Sequence, residues 1–228
     1  MFAIILTKYK MKGNEPMSLP KLQIACDHND LASALADIKA VGDVVDIIEA
    51  GTILLLQDGA EVVRCFRALY PDKLIVADPK CADAGGTVAK NLKEAGANFM
   101  TCICSATIPT MKAAAKEVDE VQVELYGDWT YDQAQAWLDA GIHQAIYHQS
   151  RDALLAGETW GEKDLTKVKK LVDMGFKVSV TGGLKVEILD LFKGVEVYTF
   201  IAGRGITQAE DPKQAAIDFQ NKIKEIWG

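Results

Sequence analysis

From Leu22 onward the chain alternates short, β-rich apolar runs with segments whose apolar residues recur at helical spacing. The runs are approximately Leu22–Cys26, Val45–Ile48, Leu74–Ala77, Phe99–Ile103, Val121–Val123, Gln144–Tyr147, Lys177–Val180 and Val197–Ala202. Runs of this length and content predict buried strands. Amphipathic stretches between them, at Leu31–Ala40, Ala60–Leu69, Val88–Ala95, Ile108–Lys116, Tyr131–Ala140, Asp164–Met174 and Pro212–Trp227, predict helices. Gly96, Gly141 and Gly175 follow three of these directly, where a helix C-terminus favours glycine. Eight such units predict an α/β protein with a single (β/α)8 barrel, near the small end of that fold's range. An open doubly wound sheet is the alternative.

No shift in composition divides the chain, so residues 17–228 are expected to form one barrel domain. Residues 1–16 are expected to be a disordered N-terminal extension. Their apolar patch Phe2–Thr7 precedes Lys8, Lys10 and Lys12, the wrong order and length for a secretory signal. With 49% hydrophobic residues among 228, the chain can bury a sizeable core. A net charge of −7 argues against nucleic acid as the main partner, because phosphate backbones need a basic face. A small anionic ligand held by a few local cations remains compatible with it. Five cysteines, an odd set without disulfide-like spacing, favour a reducing cytoplasm. Cys102 and Cys104 would share one strand face, but without a second pair or nearby histidines they read as packed thiols rather than metal ligands. No apolar run approaches the roughly 20 residues of a membrane span.

The chemistry gathers where the apolar runs stop. These ends carry Asp27, Glu49, Asp78 with Lys80, Glu124, His148 with Arg151, Thr181 with Gly182 and Gly183, and Gly203 with Arg204. In a (β/α)8 barrel such strand ends line the active site. The segment Leu74–Gly86 is the densest, with Asp78, Lys80 and Asp83 after an apolar strand; alternation puts Asp78 and Lys80 on one side. Glu49 and Asp78 end neighbouring strands, so their carboxylates can share one hard cation such as Mg2+. They can equally be ion-paired barrel carboxylates with Lys80 as counterion. Val180–Leu184 (VTGGL) and Ile201–Ile206 (IAGRGI) fall at the seventh and eighth strands, where barrels often bind phosphate on backbone N–H groups. His148 beside Arg151 is either a structural histidine or a proton carrier. His28 and His143 have no such company.

Six motifs now stand together: DIIEAGT (Asp46–Thr52), ADPKCADAG (Ala77–Gly85), QVELYGDWT (Gln122–Thr130), YHQSRDA (Tyr147–Ala153), VTGGL and FIAGRGI. On these the chain resembles the 3-keto-L-gulonate 6-phosphate decarboxylases of the orotidine monophosphate decarboxylase suprafamily, over nearly its whole length. The resemblance implies an enzyme of the carboxy-lyase class. It would release CO2 from a small phosphorylated keto-acid sugar to give L-xylulose 5-phosphate, in L-ascorbate utilisation. It implies Mg2+ on Glu49 and Asp78, and a catalytic set of Lys80, Asp83, Glu124, His148 and Arg151. It places Asp27 on substrate hydroxyls, and Thr181, Gly182, Gly183, Gly203 and Arg204 around the phosphate. It also implies a homodimer with shared sites, Asp83 reaching the partner's. Pro79, Cys81 and Gln149 depart from the family's pattern. The related hexulose-6-phosphate synthases run an aldol reaction on a similar barrel, but Glu124, Arg151, Thr181 and Arg204 match the decarboxylase side. A non-catalytic sugar-phosphate sensor is the reading from another class, though it would need only the phosphate half.

Overall fold

The computed structural model describes residues 18–228, and the expected extension over residues 1–16 lies outside the described residues. Eight parallel strands close into one barrel in chain order. They are β1 (Lys21–Cys26), β2 (Ile47–Ala50), β3 (Leu74–Cys81), β4 (Phe99–Ile103), β5 (Glu120–Leu125), β6 (Gln144–His148), β7 (Lys177–Thr181) and β8 (Val197–Ala202). The last strand returns to the first, with Gln23 opposite Ile201, so the sheet has no free edge. Closure decides against the open doubly wound sheet. Around the barrel lie α1 (Leu31–Val41), α2 (Thr52–Asp58), α3 (Glu61–Leu69), α4 (Gly85–Ala95), α5 (Ile108–Ala114), α6 (Tyr131–Asp139) and α7 (Arg151–Leu155). They are followed by α8 (Glu162–Met174), α9 (Arg204–Thr207) and α10 (Pro212–Trp227), with a 3₁₀ helix at Val186–Phe192 between β7 and β8.

The helices predicted from periodicity are present. The segments that periodicity missed, α2, α7, α9 and the 3₁₀ helix, run for seven residues or fewer, too short for a 3.6-residue repeat to stand out. Local chemistry sets the helix ends. Asp30 accepts from the Ser33 N–H at 2.8 Å to start α1, and Thr130 with Gln133 forms a reciprocal capping box on α6. Gly96 (φ 110°) and Gly175 (φ 105°) close α4 and α8 in the left-handed conformation.

One apolar layer lies between strands and helices, where Leu22, Ile24, Ile48 and Ile75 meet Ala34, Ile38 and Phe66. Inside the barrel, two small apolar clusters form: Ile47, Val76 and Phe99, and Ala25, Ile146 and Ile201. Gln23, Gln122, Gln144, Ser179 and Thr199 are also fully buried. The Gln122 amide donates to Gln144 Oε1 at 2.8 Å, and the Gln23 amide donates to Glu49. The interior is therefore polar below the site, where barrels usually stack branched aliphatics. On the outside, Trp160, Phe192, Phe200 and Trp227 form a chain of rings with centroids 5.3–5.9 Å apart. Among the described residues, no helix is long and apolar enough to cross a membrane.

Phe200 sits in the middle of that chain with no exposure. Replacing it with Ala should cost about 3–5 kcal/mol, as for other fully buried large side chains. Chemical denaturation measures it; a loss under about 1 kcal/mol would mean that the surrounding rings close the gap unaided.

Candidate active site

The C-terminal mouth of the barrel opens into a cavity of about 490 Å³. Its walls hold Asp27, Glu49, Asp78, Lys80, Glu124, His148, Arg151, Thr181, Gly182, Gly183, Gly203 and Arg204. The structure thus brings together every candidate named from the sequence except Asp83. That residue is exposed in the turn between β3 and α4 and does not line the cavity.

Lys80 is the centre of the site. Its ammonium lies 2.5 Å from Asp78 Oδ2 and 2.9 Å from Glu124 Oε2, and it donates to the Thr52 hydroxyl at 2.8 Å. The pairing does not come from simple strand alternation. The ladder between β3 and β4 slips between Ala77 and Cys81, and Lys80 takes a left-handed backbone at φ 47°. Pro79 has no N–H to give a neighbouring strand, which suits a bulge. The Lys80 N–H instead goes to Thr101 Oγ1 at 3.0 Å, and the Thr101 hydroxyl goes on to Asp78 Oδ1 at 2.6 Å. A non-glycine residue in this region costs of order 1–3 kcal/mol and persists only where its surroundings hold it.

The electrostatics follow from the crowding. Five carboxylates (Asp27, Asp30, Glu49, Asp78, Glu124) share the cavity wall with three cations (Lys80, Arg151, Arg204). Burial, then the Asp78 and Asp27 charges, raise the pKa of Glu49 well above the usual range. Burial and the Glu124 charge push Asp78 up to about 6 against the pull of Lys80. For Lys80, burial alone would lower the pKa, but the Asp78 and Glu124 carboxylates override it and keep the ammonium charged. For Glu124, burial opposes charge, but the hydrogen bond from His148 and the Lys80 charge hold its carboxyl below the ordinary value.

Glu124 also reaches His148, whose Nδ1 lies 2.7 Å from Oε1. Across the cavity, Arg151 stands 4.0 Å from Asp27, and Asp27 accepts from the Ile53 N–H at 3.2 Å. The Gly182 turn is pressed against the end of β6: a Cβ there would lie 2.1 Å from the Gln149 carbonyl oxygen, and φ is 110°. Its own carbonyl accepts from the Trp160 indole at 2.7 Å, and the Thr181 hydroxyl donates to the Ile201 carbonyl at 3.0 Å. The glycine-rich turn is therefore braced from two sides with its backbone bare toward the cavity.

Sequence reasoning missed several members. Thr52 and Thr101 bridge the Asp78–Lys80 pair, Gln23 supports Glu49, and Tyr126 touches His148. Thr101 within FMTCI and Gln23 within KLQIAC were visible as polar residues inside apolar runs. His28, unassigned from the sequence, lines the cavity with Nε2 2.7 Å from Asp37. The cysteines are free thiols, and Cys102 and Cys104 are buried, as packed thiols would be. No group of three or more His, Cys, Asp or Glu side chains among the described residues is arranged to hold a metal ion. Glu49 and Asp78, which could hold a cation, stand on the paired strands β2 and β3 in surroundings with an excess of negative charge, and both Asp78 oxygens are engaged by Thr52, Thr101 and Lys80.

A (β/α)8 barrel with a part-buried ammonium–carboxylate centre and a braced glycine turn at its C-terminal mouth has the layout of an active site for a charged small molecule. The match to known proteins narrows it. Residues 20–219 match the family described as Orotidine 5'-phosphate decarboxylase / HUMPS, and the chain belongs to that family. It is 52% identical over 216 residues to the 3-keto-L-gulonate-6-phosphate decarboxylase of Escherichia fergusonii, covering 93% of this chain and 100% of that protein. It is 67% identical to the crystallised KGPDC from Streptococcus mutans. There the TM-score is 0.92, with 92% of this chain and 100% of that chain covered. The 3-hexulose-6-phosphate synthase of Salmonella typhimurium is also similar, at 26% identity and a TM-score of 0.84, over 90% of this chain and 99% of that one. The protein is accordingly an enzyme, a decarboxylase of the carboxy-lyase class.

The Thr101 hydroxyl is one of the groups that keep Asp78 ionised. In Thr101→Val the Asp78 midpoint, read by carboxyl ¹³C NMR on metal-free protein, should therefore move up from about 6. The fold should be kept, because the side chains are nearly the same shape. A midpoint that stays in place would show that Thr101 does not support the carboxylate.

Proposed function

We propose that the chain converts 3-keto-L-gulonate 6-phosphate to L-xylulose 5-phosphate and CO2. We take the reaction to be Mg2+-dependent and to serve L-ascorbate utilisation in the cytoplasm. The reading is carried by Lys80, an ammonium held between Asp78 and Glu124 at the mouth of a barrel whose relatives are decarboxylases of that substrate. The absence of disulfides among five cysteines supports a reducing compartment.

Losing CO2 from a β-keto acid leaves an electron pair that spreads onto the adjacent carbonyl oxygen as an enediolate. Lys80 is a preorganised positive charge for that oxygen, partly desolvated and fixed before substrate arrives. Asp27, part-exposed on the cavity wall, can take hydrogen bonds from the sugar hydroxyls. The bare backbone of Gly182, Gly183 and Gly203, with Arg204 and the Thr181 corner, forms the phosphate end. Binding there, remote from the reacting carbons, can be used to orient the carboxylate for departure. His148 at the end of β6, with Arg151 at the start of α7, delivers the proton to the carbon that has lost CO2. Glu49 and Asp78 would hold Mg2+, which commonly takes only one or two protein carboxylates and completes its shell with water and substrate oxygens. Once bound, the ion would add positive charge where the enediolate develops.

We further infer a homodimer with shared sites. Asp83 is exposed and outside its own chain's cavity, which leaves its carboxylate free to complete the partner's.

The chemistry is tested by ¹H NMR, following loss of the 3-keto acid beside an aldol assay, each with and without EDTA. The expected result is decarboxylation that fails in EDTA and returns with Mg2+, and that falls roughly 10²–10³-fold in Asp78→Asn. Full activity in stripped enzyme would remove the metal from the reading, and aldol turnover in place of decarboxylation would overturn the substrate.

The shared site is tested by refolding Lys80→Ala and Asp83→Ala as a mixture. Random pairing makes half the dimers mixed, each with one intact site, so about a quarter of wild-type activity should return. Mixed dimers without activity would put Asp83 in its own chain's chemistry.

A further inference from the structure

Behind His148 stands a residue with no assigned role. Tyr126 follows β5 directly, two positions beyond Glu124, so both side chains leave the strand on the same side. Its hydroxyl lies 2.6 Å from His148 Nδ1, 3.3 Å from Nε2 and 3.5 Å from Glu124 Oε1. The two rings are tilted at 39° with centroids 4.7 Å apart. Lys80 Nζ lies over the phenol ring at 5.9 Å from its centroid, and the Tyr126 carbonyl is tied to the Cys104 thiol at 3.3 Å.

These contacts do something that Glu124 cannot do alone. A single hydrogen bond from Nδ1 to Glu124 leaves the imidazole free to rock about that axis. The Tyr126 oxygen, within 3.3 Å of both ring nitrogens, lies against the face of the imidazole and limits that rocking. With Glu124 ionised, the Nδ1 proton lies toward Oε1, and the Tyr126 O–H is free to point at the same carboxylate. Burial, followed by the Glu124 charge, raises the phenol pKa, so Tyr126 stays a neutral donor. Glu124 would then be the one carboxylate that touches Lys80 and His148 together, with Tyr126 steadying the second of these contacts.

We propose that Tyr126 is a positioning residue for the decarboxylase reaction, holding His148 in the orientation that carries the proton to the substrate. The proposal rests on the reading of His148 as the proton carrier given above.

Tyr126→Phe is the fitting variant, because it keeps the ring, its packing and its place under Lys80 while deleting the hydroxyl. General acids contribute roughly 10²–10⁴-fold, and a misaimed one should lose a part of that, about tenfold in kcat. KM should change less than about twofold, since the phenol does not line the cavity. In a His148→Gln background the Tyr126→Phe change should have almost no further effect, because the group it positions is gone. The ¹⁵N resonance of His148 Nδ1 should move in Tyr126→Phe, a readout independent of turnover. A full tenfold loss that persists in the His148→Gln background, an unmoved Nδ1 resonance, or wild-type kcat in Tyr126→Phe beside a slow His148→Gln enzyme would each overturn the role of Tyr126. If His148→Gln itself keeps wild-type kcat, the proton-carrier reading fails and the positioning role falls with it.

Discussion

A part-buried ammonium is costly unless carboxylates and hydrogen bonds compensate for its lost hydration, and the arrangement around Lys80 follows from meeting that condition. Asp78 and Glu124 supply the charges, from β3 and β5, on either side of β4. Thr52 from α2 and Thr101 from β4 supply the hydrogen bonds that orient Asp78. The bulge at Pro79 and the left-handed backbone at Lys80 turn the ammonium to where those partners meet. Three elements thus meet at one nitrogen, and the fourth, β4, holds Asp78 and the Lys80 backbone in place. Removing any partner of a buried charge leaves the others uncompensated, so the cluster behaves as a unit.

The same condition explains the division of the cavity. Lys80 does not neutralise the carboxylates of Asp27, Glu49, Asp78 and Glu124, and burial, followed by that surplus, raises the pKa values of Glu49 and Asp78. A wall of that kind repels an anion, so a phosphate must sit elsewhere. The place without carboxylates is the turn at Gly182–Gly183 and the end of β8, with Arg204 nearby. A substrate with a phosphate at one end and a keto acid at the other would span the two halves. The acid end then meets Lys80, and its carboxylate departs from a site that is already crowded with negative charge.

In the proposed reaction, proton handling would belong to a third group of residues, joined to the first through Glu124. One of its oxygens faces Lys80 and the other faces His148, so the charge that fixes the ammonium also fixes the imidazole. Tyr126 meets the same histidine from behind. In a rigid barrel, strand ends hold such groups in place more firmly than long loops would, which suits a reaction whose product is set by where one proton is delivered.

The repeat of strands and helices, and with it the barrel, was legible in the sequence, because eight apolar runs at this spacing admit few other folds. The residues at the strand ends were legible too, since polar side chains that interrupt buried runs are conspicuous. Strand limits were less so: β3 continues through Asp78, Pro79 and Lys80 to Cys81, where charge and proline signalled a stop, because the bulge absorbs what a regular ladder would not. The short helices α2, α7 and α9 carried no periodic signal at all. Only the tertiary structure decided which polar residues meet. Thr52 lies 28 positions from Lys80, and Tyr126 lies 22 from His148. No spacing rule along one strand links such pairs; closure of the barrel brings them together, and the desolvation of Lys80 makes the contact matter.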